Sequence, residues 1–370
     1  MTSSATDSSS ATGSSSATGS GQQHPLRLSV LDLIPVRSNQ TTADAVAATI
    51  ELAKVADELG FERFWVAEHH NMPAVASTNP AVLIGIIGAN TSRIRVGSGG
   101  VMLPNHSPLV VAEQFAILEA AFPGRVDLGI GRAPGSDPVI TSFLRSSGTT
   151  SDVNAFEQNV QDIATLLDTE GAMLQLPNGR SYALSATPKA SGVPQTWLLG
   201  SSDYSARLAA TLGLPYVFAH HFSGEGTERI LEFYRSGFTP AAEGDTPRTF
   251  LTLNVSVAPT AQEAMAAALP NLQQMARLRT GAPLGPLATI EEAARAELTP
   301  AQQQTVDAML ERWVIDEPVA AARRIRELAR RYGVDEVMVV PGLSASDADA
   351  ANATPARVDA LRLLAAELLE

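Results

Sequence analysis

Eight short β-rich runs, each followed by a helical stretch, constrain this chain more than any other feature, because such alternation joins parallel strands through helical crossovers. The strand candidates are Leu26 to Leu31, Arg63 to Ala67, Ile94 to Gly99, Val126 to Ile130, Thr196 to Leu199, Tyr216 to Ala219, Leu251 to Val257 and Glu336 to Val340. Most are compact apolar runs, as expected of strands covered on both faces. Helical periodicity fills the intervals: Thr41 to Leu59 closes at Gly60, while Pro80 to Asn90 and Pro108 to Ala121 open on proline. Further helices are predicted at Ala155 to Leu167, Asp203 to Leu212, Thr227 to Tyr234, Ala261 to Leu278, Pro318 to Tyr332 and Pro355 to Leu368. Eight β/α units predict an α/β fold closed as a (β/α)8 TIM barrel.

The barrel is expected to occupy residues 25–370. Residues 1–24, rich in Ser, Ala, Thr and Gly, carry neither the basic nor the apolar region of a secretion signal and read as a disordered tail. The segment Thr280 to Asp316 opens on Gly281-Ala-Pro283-Leu-Gly285-Pro286 and continues Gln-rich and weakly amphipathic. It is predicted to be a mobile insertion in the seventh β/α connection, of the kind that serves as a lid or binding loop.

With 26 basic against 39 acidic residues the net charge is −13, which opposes binding to nucleic acid or to an anionic membrane surface. The basic cluster Arg323, Arg324, Arg326, Arg330 and Arg331 is interleaved with apolar residues and reads as a solvated helix face. Cysteine is absent, so disulfides, thiolate nucleophiles and Cys-type metal sites are excluded, and a cytoplasmic location fits. No window approaches the ~20 apolar residues that span a bilayer.

In a barrel the loops after the strands share one face, so residues distant in sequence meet there. Phe64-Trp-Val-Ala-Glu-His-His70 runs apolar residues into Glu68, His69 and His70; the neighbouring loops contribute Asp32, Gly99, Gly100, Asn105, His106, Arg132, Ser201, Ser202, His220 and His221. Five of the six histidines fall in this set. Adjacent histidines at a strand end point opposite ways, and no helical ligand pair accompanies them, so a catalytic metal is not expected. Gly129-Ile-Gly131-Arg132-Ala133-Pro134-Gly135 is a poor dinucleotide fingerprint, since Pro134 and Pro138 stand where a phosphate-capping helix should start. Arg132, among small residues beyond a strand end, is suited to grip a phosphate. Gly200-Ser201-Ser202-Asp203-Tyr204-Ser205 leaves a strand and opens a helix, offering backbone N–H groups and hydroxyls to the same anion, or an ordinary N-cap. Gly99-Gly100 would admit a flat ligand close to the backbone.

These residues resemble the flavin-dependent, bacterial-luciferase-like monooxygenases, and within them the single-chain luciferase-like oxidoreductases. The resemblance covers nearly all of Leu26 to Leu369. It rests on Leu28-Ser-Val-Leu-Asp-Leu33, Trp65-Val-Ala-Glu-His-His-Asn-Met72, Gly97-Ser-Gly-Gly-Val-Met-Leu-Pro-Asn-His-Ser-Pro108, Gly124-Arg-Val-Asp-Leu-Gly-Ile-Gly-Arg-Ala-Pro-Gly135 and Trp197-Leu-Leu-Gly-Ser-Ser202. It implies FMN at the C-terminal ends of the strands, held by Gly99, Gly100, Arg132, Ala133, Pro134, Gly200, Ser201, Ser202 and Ser205, with a non-proline cis peptide at Gly99-Gly100. It implies His69 as the catalytic histidine, a substrate pocket among Asp32, His70, His106, His220 and His221, and oxygenation of a small organic substrate by O2 through a C4a-peroxyflavin. It further implies reduced FMN delivered by a separate NAD(P)H:flavin reductase, and a possible homodimer. Gly131 stands where the luciferase α subunit carries a reactive cysteine, and Ser201 replaces an acidic residue, so light emission from a long-chain aldehyde is not expected. The rival readings are a dehydrogenase using F420 on the same barrel, a flavin-binding protein without turnover, and an unrelated barrel hydrolase built on Glu68 or Asp32.

Overall fold

The computed structural model describes residues 26–369, apart from 147, 149–151, 169, 191 and 223. The predicted tail lies outside these residues. Eight parallel strands close on themselves: β1 (Arg27–Asp32), β2 (Arg63–Val66), β3 (Arg95–Ser98), β4 (Val126–Gly131), β5 (Gln195–Gly200), β6 (Tyr216–Phe218), β7 (Leu251–Val257) and β8 (Glu336–Pro341). Each pairs with its neighbour in the chain, and β8 returns to β1 with Leu28 opposite Val337. The predicted strands stand within a single residue at either end. Their apolar runs are long enough to fill a strand and too short for a helix.

Side chains alternate across the barrel wall, as a strand's two-residue period requires. Leu31, Trp65, Ala67, Trp197, Val217, Phe250 and Met338 form the cluster inside the barrel. Their neighbours Val30, Phe64, Val66, Leu198 and Val337 join the larger layer between strands and helices. The helices start where their caps dictate: Thr41 and Asp44 form a capping box on Thr42–Glu58, Asn79 accepts from the Val82 N–H ahead of Pro80–Ala89, and proline leads Pro108–Ala121. Gly333, left-handed at φ 61°, ends Pro318–Tyr332.

At the N-terminal end of the barrel Arg63 is buried between two carboxylates. Its Nε and Nη2 donate to Glu336 at 2.6 and 3.0 Å, and its Nη1 donates to Asp127 at 2.7 Å. Burial alone would lower the guanidinium's pKa; the two acids raise it instead. This network plugs the end of the barrel that faces away from the expected site.

Two connections are more elaborate than the others. The segment predicted as a mobile insertion is folded: it contains helices Ile290–Arg295 and Pro300–Leu310, then strand Val314–Asp316, which pairs parallel to the end of β7. Val306 and Met309 bury against Ala268, Leu272 and Ala276 of the preceding helix Ala261–Arg279, a small core that weak amphipathicity did not reveal. The β4–β5 connection adds helix Pro138–Arg145 and an antiparallel hairpin, Ala172–Gln175 with Ser181–Leu184, neither anticipated from the sequence.

Candidate functional site

The loops after β2, β3 and β4 are tied together by one carboxylate. Glu68 leaves β2 fully buried; its Oε1 accepts from His70 Nε2 at 2.9 Å and His106 Nε2 at 2.8 Å, and its Oε2 accepts from the Met102 N–H at 2.9 Å. Burial pushes the carboxyl's pKa up, but the hydrogen bonds from His106 and His70, the charge of His106 and the Met102 N–H outweigh it and hold it at about 2. The carboxylate is therefore ionised and only accepts, so both histidines carry a proton on Nε2. His70 and His106 are thus fixed in orientation by Glu68.

His69 takes a different direction. Its backbone N–H donates to the Ser77 carbonyl at 2.9 Å, and its ring Nδ1 lies 3.4 Å from the Gly135 carbonyl. A carbonyl can only accept, so Nδ1 carries the proton and the neutral ring leaves its lone pair on Nε2. Burial lowers the ring's pKa, against the Gly135 bond and Glu68 that raise it. A neutral imidazole with an open Nε2 can take up a proton. The Gly135 carbonyl also accepts from the His70 N–H at 3.1 Å, and Asn105 Nδ2 donates to the Pro134 carbonyl at 2.8 Å, which joins the β4 loop to the loops after β2 and β3.

Gly99 and Gly100 are joined by a cis peptide, as the resemblance implied. Gly100 has no room for a side chain, since a Cβ there would lie 2.7 Å from the Gly129 carbonyl oxygen, whereas a Cβ on Gly99 would first meet the movable end of the Leu31 side chain, at 2.6 Å.

Beyond β4, Arg132 lies over the Tyr204 ring, 4.1 Å from guanidinium carbon to ring centre, and its buried Nε has no hydrogen-bond partner among the described residues. An unpaired buried donor on a cation costs about 1–3 kcal/mol or more, so it calls for an acceptor. Tyr204 belongs to helix Asp203–Thr211, whose N-cap, Ser202, makes no side-chain capping bond. Its first-turn N–H groups therefore have no Ser202 acceptor. Ser201 and Ser202 are exposed, Ser205 is buried with its Oγ against Gly200, and Ala133 is exposed beside Pro134. Asp203 would repel an anion there, but Arg229 grips it at 2.9 and 3.0 Å.

Two predicted pocket residues are turned elsewhere. Asp32 is fully buried and faces the helix layer: its Oδ1 accepts from Arg357 Nη2 at 2.6 Å and the Ile34 N–H at 2.9 Å, and its Oδ2 from Thr49 Oγ1 at 2.8 Å. It anchors β1 to two helices and has no place in a substrate pocket. His220 bonds Thr227 Oγ1 through Nδ1 at 2.7 Å and sets its ring edge-on to Tyr332, which places it in the wall as well. Burial, followed by the charges of His220 and His69, lowers the pKa of its neighbour His221, whose Nδ1 bonds Thr252 Oγ1 at 2.9 Å. Sequence reasoning brought Glu68 to this face without giving it the role of hub for two histidines, and gave Tyr204 no role as the platform for Arg132. A carboxylate directly before paired histidines at a strand end was the available sign for the first; the second depends on an inter-loop approach that no local pattern encodes.

A family model described as luciferase-like monooxygenase matches residues 26–336. The chain is similar to a luciferase-like monooxygenase of Escherichia coli (strain K12), 37% identical over 314 residues that span 85% of this chain and 91% of that protein. Among solved structures it resembles apo-MsnO8 at 32% identity and TM-score 0.77, covering 92% of this chain and 98% of that one. The fold alone is shared with the oxygenating constituent of 3,6-diketocamphane monooxygenase from Pseudomonas putida in complex with FMN, 18% identical at TM-score 0.66, covering 93% and 97% of the two chains. An F420-dependent secondary alcohol dehydrogenase shares it too, at 15% identity and TM-score 0.59, covering 86% and 94%. With a family model over most of its length, this chain belongs to the luciferase-like monooxygenases.

Proposed function

We propose that the protein is an FMN-dependent monooxygenase that receives reduced FMN from a separate NAD(P)H:flavin reductase and uses O2 to oxygenate a small organic substrate. The observation that carries this reading is the unpaired, buried Arg132 Nε beside a helix start whose cap makes no side-chain bond, a donor set that fits a phosphate. Arg132, Ser201, Ser202 and the first turn of helix Asp203–Thr211 would hold that phosphate, with Tyr204 keeping the guanidinium in place. Gly99 and Gly100 offer bare backbone to a flat ring. Reduced FMN, when bound, supplies the electrons that activate dioxygen.

The chain's own contribution is orientation and proton handling. His69 is neutral and open at Nε2, so it can accept a proton from a reacting group and return it. Glu68 keeps His70 and His106 facing one way, and His221 lines the side near His69. F420 carries phosphate too, but its deazaflavin ring does not react with O2, and a monooxygenase needs a cofactor that does. The homodimer implied by the resemblance has a suitable surface in Val82, Leu109, Val110 and Ile117, exposed on the helices Pro80–Ala89 and Pro108–Ala121.

The test is anaerobic titration with reduced FMN and, separately, reduced F420, followed by mixing with aerated buffer. Saturable FMN binding with altered reoxidation in air supports the reading; tight F420 binding without affinity for FMN replaces it with hydride transfer. Once a substrate is in hand, His69→Ala is expected to retain FMN affinity and to lower turnover by about 10²- to 10⁴-fold. Unchanged turnover would remove His69 from its role.

A further inference from the structure

At the N-terminal end of the barrel, opposite the candidate site, lies a cleft of about 740 Å³, within the ~300–1,000 Å³ usual for small-molecule sites. Six arginines line it: Arg27, Arg63, Arg235, Arg248, Arg326 and Arg330. Its two acidic lining residues are already engaged, Asp335 by Arg27 at 3.0 Å and Glu336 by Arg63 at 2.6 Å. Arg235, Arg248, Arg326 and Arg330 have no carboxylate partner among the described residues. In a chain of net charge −13 this is a local reversal of sign, and a concave one, which concentrates the field.

The wall of the cleft supplies a second, independent observation. Trp197 is 3% exposed, yet among the described residues its indole Nε1–H has no hydrogen-bond partner, and the buried Thr249 Oγ1, which lines the same cleft, has none either. The indole lies between two guanidiniums, with Arg63 5.0 Å and Arg248 5.6 Å from its ring centre. The wall of the cleft therefore holds an indole N–H and a hydroxyl that lack a partner, close to two guanidiniums, and leaving such polar groups unpaired is unfavourable.

We propose that this cleft is a binding site for a phosphate-bearing small molecule, separate from the site at the other end of the barrel. Arg248 enters from the segment before β7, whereas Arg326 and Arg330 come from helix Pro318–Tyr332 on another wall. Donors that converge from different directions suit a tetrahedral phosphate, which presents acceptors on every side; a carboxylate presents them in a single plane. The volume exceeds that of one phosphate and leaves room for an attached organic group against Trp197. The uncommitted reach belongs to Arg330, whose guanidinium makes no hydrogen bond or ion pair among the described residues, and to Arg248, whose guanidinium donates among them only to Gln195 Oε1, at 2.7 Å.

The test is calorimetric titration of the full-length chain with inorganic pyrophosphate and with ADP, at constant ionic strength. The same titrations are run on the double variant Arg248→Gln/Arg330→Gln and on Arg132→Ala. The proposal expects saturable binding of at least one probe, affinity reduced about tenfold or more in the double variant, and no loss in Arg132→Ala. Tighter binding of ADP than of pyrophosphate assigns a nucleotide; equal binding assigns the phosphates alone. Absence of saturable binding up to about millimolar probe overturns the proposal. So does binding that survives the double variant, or that vanishes with Arg132→Ala, which would place the anion at the other end of the barrel. An unchanged melting temperature for the double variant shows that its loss is not unfolding.

Discussion

A single buried carboxylate organises the histidines of this site. Glu68→Gln keeps the shape of the side chain but removes its charge and replaces one acceptor with an amide donor. It then faces His70 Nε2, His106 Nε2 and the Met102 N–H with one acceptor too few. The expected result is destabilisation of about 1–3 kcal/mol in urea unfolding and altered ring signals for both histidines in NMR. Equal stability and unchanged signals would mean the three contacts do not act together. Arg132 is the complementary case, a cation awaiting a partner. Arg132→Ala is expected to weaken FMN binding about 10- to 100-fold, the loss of one charge-assisted hydrogen bond, with little change in stability because its Nε is unpaired in the free protein. Fluorescence titration checks the affinity; undiminished binding would move the phosphate elsewhere.

The elements differ in how tightly they define the site. β3 and β4 approach so closely at their ends that Gly100 has a carbonyl oxygen where a Cβ would stand. Gly100→Ala is expected to force the strands apart and to cost about 1–3 kcal/mol, as overpacking in a close-packed interior does. Thermal unfolding measures it, and a neutral effect would show that the β3 end can yield. The start of helix Asp203–Thr211 is defined in the opposite way, by what it lacks: without a side-chain bond from its cap, it remains open to an anion.

At the scale of the molecule, buried histidines set the response to acid. Burial, followed by the charges of Arg312 and Arg331, pushes His220 down to about 4 from an ordinary 6.5. The unfolded chain therefore binds a proton below pH 6.5 that the folded chain refuses until about 4. Stability present above 6.5 is lost through that window, on the order of 3 kcal/mol for this group, and His221, also held at about 4 by burial and by His220, adds to the loss. Glu68, depressed to about 2, adds its own loss as pH falls below 4.5. Urea unfolding across this range checks the slope, which His220→Asn should flatten between pH 6.5 and 4. A wild-type protein equally stable at both ends of the window contradicts it.

The barrel was legible in the chain because strand and helix periodicities are local: apolar runs such as Val126 to Ile130, proline at Pro108 and the Thr41 cap specify their elements through neighbours in sequence. Closure then places the strand-end loops on one face, so the gathering of His69, Arg132, Gly99 and Gly100 at that end was legible from their places after the strands. The direction of each side chain was not, because it depends on partners far away along the chain. Asp32 and His220 occupy the same kind of loop position as His69, but Arg357 and Thr227 claim them for the wall. The folding of residues 280–316 likewise rests on Val306 and Met309 meeting another helix, not on their own periodicity. The sequence by itself determined which elements form and which end of the barrel collects the polar chemistry; the tertiary structure decided which of those groups are already paired and which remain open to a ligand, since hydrogen-bond satisfaction belongs to the assembled fold.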